Sequence, residues 1–259
     1  MRILFLGDIF GKPGRTIAQD YVPYYRKEYG IDLCIANCEN IADGRGVTER
    51  TAKELFSCDI DILTSGNHLW DRQESHDYLR AEKRIVRPAN YPPGAIGNQF
   101  VIAQCENGET IAIVSLVGQA FMTTALSPYF IMEELLPVLH EHTKSIFVDF
   151  HAESTAEKRA FGMNFDGRIS AMIGTHTHIQ TADEEILPNG TAYLTDAGMT
   201  GPHDSVIGIR KEIIIEKMIT GMPLRYEVAD TGNQINGVIV EIDAETGLAT
   251  HIQRLRENV

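Results

Sequence analysis

The sequence predicts an α/β protein, and two features of the residue pattern carry this prediction. Short apolar runs typical of buried strands alternate with helical stretches along the chain, and several of these runs end at a polar residue. No linker, repeat or low-complexity stretch interrupts the alternation. A chain of 259 residues could form one large domain or two small ones, and the uninterrupted pattern favours a single domain over residues 1–259.

Three strand, loop and helix units make up the first part of the chain. The first loop contains Gly11, Pro13 and Gly14, but G-K-P-G is neither a P-loop nor a dinucleotide fingerprint, so it predicts a phosphate cradle only weakly. Thr48 is a predicted N-cap, with Thr51 three residues later. The predicted strands of the three units are 2–7, 32–36 and 60–64, and the helices are 15–28, 48–56 and a stretch ending near 79.

Turn signals and periodicity predict the remaining elements. Two apolar runs flank Asn107-Gly108, which indicates a hairpin and an antiparallel step in the sheet. The stretch 195–202 is predicted to be a glycine-rich loop, and the tail from residue 224 onward alternates as two or three closing strands. The other predicted elements are strands 100–104, 110–117, 145–150 and 192–194, and helices 128–142 and 211–219.

Composition excludes several classes of protein. No apolar run approaches the ~20 residues of a membrane span, and the first residues lack the apolar region and cleavage site of a signal peptide, so a cytoplasmic protein without a membrane partner is expected. The four cysteines form no C-x-x-C pair and are expected to be buried apolar residues. A net charge of −13 argues against binding of nucleic-acid polymers, so a phosphate-bearing substrate would need a local positive centre.

The stretch Arg168–Gln180, RISAMIGTHTHIQ, brings two imidazoles to the end of an apolar run. If the segment is extended, His176 and His178 point the same way. Two such imidazoles are metal ligands or an acid/base pair, and the alternative is a pair of hydrogen-bonded surface histidines.

Four further strands also end at side chains that can bind metals. Taken singly, Asp8 could be a helix cap, Asn67 a turn residue and His68 a surface group. The carboxyl ends of parallel strands lie along one sheet edge, however, so five such residues together predict a metal site at that edge. The candidates are Asp8, Glu39 with Asn40, Asn67 with His68, His151, and His176 with His178.

This donor set mixes carboxylate, amide and imidazole groups, which exceeds the needs of one zinc ion. Hard and borderline ligands together suit two first-row ions, with iron or manganese expected. Two ions ~3.5–4 Å apart with a bridging hydroxide stabilise the attacking and leaving oxygens of a displacement at phosphorus. The candidates therefore predict phosphoester hydrolysis.

The same motifs resemble a known family. The succession G-D at Gly7-Asp8, G-N-H at Gly66–His68, a lone His151 and G-T-H-T-H at Gly174–His178 is similar to the calcineurin-like metallophosphoesterase superfamily. G-D-I-F-G, N-C-E-N, G-N-H-L-W-D, D-F-H-A-E and T-D-A-G-M-T-G-P resemble its bacterial YmdB-like branch of cyclic-nucleotide phosphodiesterases over nearly the whole chain. Phe10 and Glu39 stand where the wider superfamily has histidine and aspartate, and both departures are shared with the YmdB-like pattern.

The resemblance implies a four-layer αββα sandwich with mixed sheets and an active site at the carboxyl ends of the strands. It implies a bridging role for Glu39 between two ions, and a general acid at His68 that Asp71 orients, although Asp71 could instead cap the next helix. One implied ion is bound by Asp8, Glu39, Asn40 and His178, and the other by Glu39, Asn67, His151 and His176.

The expected activity is hydrolysis of a small phosphodiester, with 2',3'- or 3',5'-cyclic nucleotides as the implied substrates. Lys12, Arg15 and Arg45 could contact the substrate, but hydrated surface positions are favoured for each. Two alternatives stay open: a phosphomonoesterase, and a regulatory or scaffolding protein whose metal site is structural. Association with further copies of this chain also stays open.

Overall fold

A computed structural model describes residues 1–122 and 125–259, and the predicted α/β class is confirmed. In chain order the strands are β1 (Arg2–Leu6), β2 (Asp8–Ile9), β3 (Leu33–Asn37), β4 (Ile62–Thr64), β5 (Phe100–Gln104), β6 (Thr110–Val117), β7 (Ile146–His151), β8 (Ala171–Thr175), β9 (Glu185–Ile186), β10 (Ala192–Leu194), β11 (Met199–Pro202), β12 (Asn233–Asp243) and β13 (Leu248–Asn258). The α-helices are α1 (Gly11–Tyr29), α2 (Glu49–Phe56), α3 (His76–Ala81), α4 (Pro128–His140), α5 (Thr155–Asn164) and α6 (Lys211–Thr220), and a 3₁₀ helix covers Gln73–Ser75.

The strands form two mixed sheets. The first has the order β2-β11-β12-β1-β3-β4, with β13 paired to β12, and within it β1, β3 and β4 run parallel. The second has the order β5-β6-β7-β8-β10-β9, and β6, β7, β8 and β10 run parallel. Each parallel set therefore places its carboxyl ends side by side.

The alternation of side chains along each strand builds three apolar clusters. In β1, Leu4 and Leu6 pack with the helices α1, α2 and α3, whereas Ile3 and Phe5 pack toward the second sheet. The rings of Phe5 and Phe147 lie 5.2 Å apart and join the two sheets. A third cluster lies between the second sheet and the helices α4 and α5. Full burial of each such side chain contributes about 1.5–3 kcal/mol, so these contacts hold the sheets and helices together.

Several local predictions are confirmed. Thr48 caps α2, since its Oγ1 accepts from the Thr51 amide at 3.2 Å, and the two strands around Asn107-Gly108 form the expected antiparallel hairpin. All four cysteines are free and buried. Within the described ranges, none of the helices has the combination of length and apolar character that crossing a bilayer requires.

Two boundaries near the site differ from the prediction. The helix α1 begins at Gly11 rather than Arg15, because Pro13 falls in the first turn, where its missing N–H has no helical partner to lose. The predicted loop 195–202 contains the strand β11, whose Met199 pairs with Asp8 and whose Gly201 pairs with Gln234. Backbone pairing with distant segments therefore overrides the local glycine-rich composition.

Candidate metal centre

The five candidate strand ends lie in two sheets, not along one edge as the sequence predicts. The strands β1, β3 and β4 belong to the first sheet, and β7 and β8 belong to the second. A buried carboxylate in β7 joins the two edges: Asp149 accepts hydrogen bonds from Asn37 at the end of β3, at 2.8 Å, and from the Thr64 hydroxyl in β4. The candidates meet because the two sheets converge at their carboxyl ends.

Glu39, His151 and His176 form the tightest group. The Oε1 atom of Glu39 lies 3.2 Å from Nε2 of His151, and Nδ1 of His176 lies 3.0 Å from the same His151 nitrogen. One ligand atom from each of the three side chains lies within 4.8 Å of the others. Their separation suits coordination of one cation.

Asp8, Asn40 and His178 form the other side of the centre. The Asn40 side-chain nitrogen lies 3.1 Å from Nε2 of His178, and Oδ1 of Asp8 lies 3.9 Å from that same nitrogen. Asp8 also accepts a hydrogen bond at Oδ2 from the His176 amide, at 3.1 Å. Glu39 connects the two sides, since its Oε1 atom is 3.3 Å from the Asn40 amide group.

Asn67 and His68 enter from the loop after β4. The His68 backbone N–H donates to Oε2 of Glu39 at 3.1 Å, so this loop is attached to the centre through Glu39. The Nδ1 atom of His68 lies 2.8 Å from Oδ2 of Asp71, and Nε2 lies 3.3 Å from the Asn67 side-chain nitrogen. The structure thus brings all eight candidates into one connected region.

The GTHTH segment is not extended. The strand β8 ends at Thr175, and His176 and His178 have φ values of 99° and 65°. Residues with side chains adopt this left-handed region only at a cost in energy. The expectation that an extended segment would point both imidazoles the same way is therefore wrong, and a bent path presents them to opposite sides of the centre.

The donor atoms of this region fit a cation. The Oδ1 atoms of Asp8 and Asn67 are buried and have no hydrogen-bond partner among the described residues. Buried polar atoms are almost always paired, so two unpaired oxygens at predicted ligands are informative. Two imidazole nitrogens also face each other at 3.0 Å, between His151 and His176. Unpaired oxygens and convergent imidazoles are the donor types that first-row metal ions bind.

The ionisation states also suit metal binding. Burial opposes the charged form of Glu39, but the adjacent His151 outweighs burial and lowers the pKa of Glu39 to about 2. Burial lowers the pKa of His151, and the Glu39 carboxylate reverses this and raises that pKa to about 9. Burial and then the charge of His151 lower the pKa of His176 to about 3. Glu39 is therefore an anion at neutral pH and His176 a neutral imidazole, as metal binding requires.

Several supporting groups escaped the sequence analysis. Nδ1 of His151 lies 2.9 Å from the Thr175 hydroxyl, which donates to Asp149 at 2.6 Å, so the carboxylate that the sequence left unassigned faces this network. The Nδ1 atom of His178 lies 3.1 Å from the Ile207 carbonyl oxygen, and Nε2 of His176 lies 3.1 Å from Glu153. Such partners fix the orientation of ligating imidazoles. A threonine within GTHTH was the one available signal.

The candidate substrate-facing cations occupy different environments. Arg15 is buried, bonds Glu54 at 2.5 Å and donates to the Ile41 carbonyl, so the expected hydrated position is wrong for this residue. Arg45 is 65% exposed and pairs with Oδ2 of Asp71, the same oxygen that contacts His68. Lys12 is exposed, as expected.

A family model for YmdB-like proteins matches residues 4–255. The chain belongs to the YmdB-like family. A 2',3'-cyclic-nucleotide 2'-phosphodiesterase from Bacillus subtilis strain 168 is 43% identical over 258 residues, which cover 100% of this chain and 97% of that relative. The crystal structure of a novel phosphatase from Mycoplasma pneumoniae matches with a TM-score of 0.94 at 34% identity, covering 100% of this chain and 93% of that one. That of a hypothetical protein from Thermus thermophilus matches with a TM-score of 0.93 at 36% identity, covering 100% and 99%.

In this YmdB-like chain, Phe10 occupies the position at which the wider superfamily has a histidine. Its ring contacts the His178 imidazole edge-on, with centroids 5.5 Å apart. The ring also lies against Gly44 and Gly208, where an added Cβ would approach it to 2.6 Å and 2.4 Å. Phe10 therefore forms an apolar wall beside His178.

Proposed function

We propose that this chain is a metal-dependent phosphoric diester hydrolase that acts on small phosphodiesters. The observation that carries the proposal is the pair of buried, unpartnered oxygens of Asp8 and Asn67 beside the convergent imidazoles of His151 and His176. The similarity to a 2',3'-cyclic-nucleotide 2'-phosphodiesterase supports cyclic nucleotides as substrates, with the 2',3'-cyclic class first.

The proposed ligands divide into two sets that share Glu39. Asp8, Glu39, Asn40 and His178 would hold one ion, and Glu39, Asn67, His151 and His176 the other. The position of Glu39 between Asn40 and His151, at 3.3 Å and 3.2 Å, supports its bridging role. We expect iron or manganese, because the set combines oxygen and imidazole donors without a thiolate.

When bound, the two ions would polarise the phosphoryl oxygens and lower the pKa of water. The side chains of the protein have their own tasks. The Thr175 hydroxyl and the Ile207 carbonyl oxygen hold Nδ1 of His151 and of His178, so that Nε2 of each imidazole faces the centre. His68 keeps its Nε2 free of Asp71 and would give a proton to the departing oxygen, with Asp71 orienting its imidazole.

We also infer that the chain is one domain built as a four-layer αββα sandwich. The three apolar clusters support this arrangement, because one lies between the two sheets and one lies between each sheet and its own helices. The site would then lie at the carboxyl ends of strands from both inner layers.

A substrate panel tests the proposed function. A 2',3'-cyclic nucleotide, a 3',5'-cyclic nucleotide, a nitrophenyl diester and a nitrophenyl monoester should be compared with one metal-loaded preparation. We expect faster turnover of diesters than of the monoester. Equal or faster monoester hydrolysis would indicate a phosphatase, and no turnover by fully loaded protein would indicate a regulatory protein with a structural metal site.

A further inference from the structure

A fully buried ion pair lies directly behind the GTHTH segment. The Nζ atom of Lys158, in α5, donates to Oδ2 of Asp196 at 2.7 Å, and the two side chains are 0% and 1% exposed. Removing two charges from water costs several kcal/mol for each ion before their attraction is counted, so a buried pair is weak evidence for a purely stabilising role. A more specific role is suggested by the other partners of Asp196.

Those partners belong to the backbone that carries the two histidines. Oδ2 of Asp196 accepts from the Thr177 amide at 3.2 Å and from the Thr177 hydroxyl at 2.8 Å. Oδ1 accepts from the Gly198 amide at 2.9 Å, and the next amide, of Met199, donates to the His178 carbonyl at 3.2 Å. The carboxylate therefore holds the one residue that separates His176 from His178.

We infer that Asp196, neutralised by Lys158, is a positioning residue that fixes the left-handed turn at His176 and His178. This inference rests on the proposed function, because it treats the two histidines as ligands of the two different ions. Their positive φ values are unfavourable for residues with side chains and persist only where surrounding contacts impose them. The hydrogen bonds from Thr177 to Asp196 are contacts of this kind.

The chemistry of the network requires a carboxylate. Oδ2 of Asp196 accepts three hydrogen bonds, from the Lys158 ammonium and from the amide and hydroxyl of Thr177. An asparagine amide would either place donors against these donors or break the bond from Gly198. Lys158 cancels the charge of the carboxylate in a place that water does not reach. Gly174 leaves room for the lysine stem, since a Cβ there would lie 2.9 Å from Cδ of Lys158.

Three substitutions with Mn²⁺ as the probe test the inference. Thr177→Val removes only the hydroxyl bond to the carboxylate, and Thr177→Ser retains that hydroxyl. Thr181→Val is the matched control, because the Thr181 hydroxyl accepts from the Asp196 backbone N–H at 2.9 Å and does not contact the carboxylate. Mn²⁺ dissociation constants should be measured on the full chain by competition with a chelator, alongside urea unfolding of the metal-free protein.

Thr177→Val should weaken Mn²⁺ binding by about 10–100-fold, as the loss of a supporting partner typically does, while Thr177→Ser and Thr181→Val stay within about threefold of the parent chain. Asp196→Asn should weaken binding more than Thr177→Val does. Unchanged Mn²⁺ affinity in Thr177→Val, or equal losses in Thr177→Val and Thr181→Val, would overturn the inference while the metal site stands. Failure of the unmodified chain to bind Mn²⁺ would overturn the proposed function instead.

Discussion

Replacing His68 by alanine should separate proton transfer from metal binding. The imidazole of His68 is held on one side by Asp71, at 2.8 Å from Nδ1, and it lies outside the proposed ligand sets. The backbone N–H that donates to Glu39 at 3.1 Å is kept in the alanine variant. Both metal ions should therefore remain bound while the proton donor is lost.

The expected losses differ between the two members of this pair. General acid catalysis contributes ~10²–10⁴-fold, or about 3–5 kcal/mol, so His68→Ala should lose that much turnover of a cyclic nucleotide, whose leaving group is a poor alkoxide. The side chains of His68 and Asp71 are 29% and 32% exposed, so solvent screens their ion pair. Such a pair contributes about 0.2–1 kcal/mol, and Asp71→Asn should cost about fivefold or less.

The assay compares a cyclic nucleotide with a nitrophenyl diester in one preparation of each variant, with metal content measured on the same sample. Nitrophenolate leaves without a proton, so His68→Ala should lose much less activity on the nitrophenyl diester. Equal losses on both substrates would make His68 an electrostatic contact to the phosphate. A missing metal ion in His68→Ala would make it a ligand, and either result refutes the general-acid assignment.

Three further substitutions test other parts of the structure. Glu39→Ala should reduce binding of both ions, whereas His178→Ala should weaken mainly one, and full metal content in Glu39→Ala would disprove bridging. Gly66→Ala should impair metal binding without unfolding the chain, because the added Cβ would lie 2.3 Å from Oε2 of Glu39; elemental analysis and circular dichroism measure the two effects. Thr48→Ala should lower the free energy of unfolding by about 1 kcal/mol through loss of the α2 cap, with Thr48→Ser nearly unchanged in urea titrations.

Local sequence predicted those parts of the fold that depend on local contacts. Thr48 caps α2 through a residue three positions away, and Asn107-Gly108 turns a hairpin between adjacent strands. The strand β11 escaped prediction because its partners are distant: Met199 pairs with Asp8, more than a hundred residues earlier in the chain. The division of the parallel strands between two sheets is likewise set by tertiary pairing.

The candidate site shows the same distinction. A polar residue at the end of an apolar run is visible in the sequence, so the side chains of all eight candidates could be named in advance. The bent path at His176 and His178 was not predictable, because the carboxylate behind it, Asp196, belongs to another segment. Asp149 was left unassigned for a similar reason, since its partners Asn37 and Thr175 come from two other strands.

The metal content of the active chain tests the central claim most directly. Elemental analysis after metal-replete purification should find about two first-row ions per chain, and a chelator should remove both those ions and diester hydrolysis. Adding Mn²⁺ or Fe²⁺ back should restore hydrolysis as the second equivalent binds. Only trace metal in a preparation that still hydrolyses diesters would contradict the account.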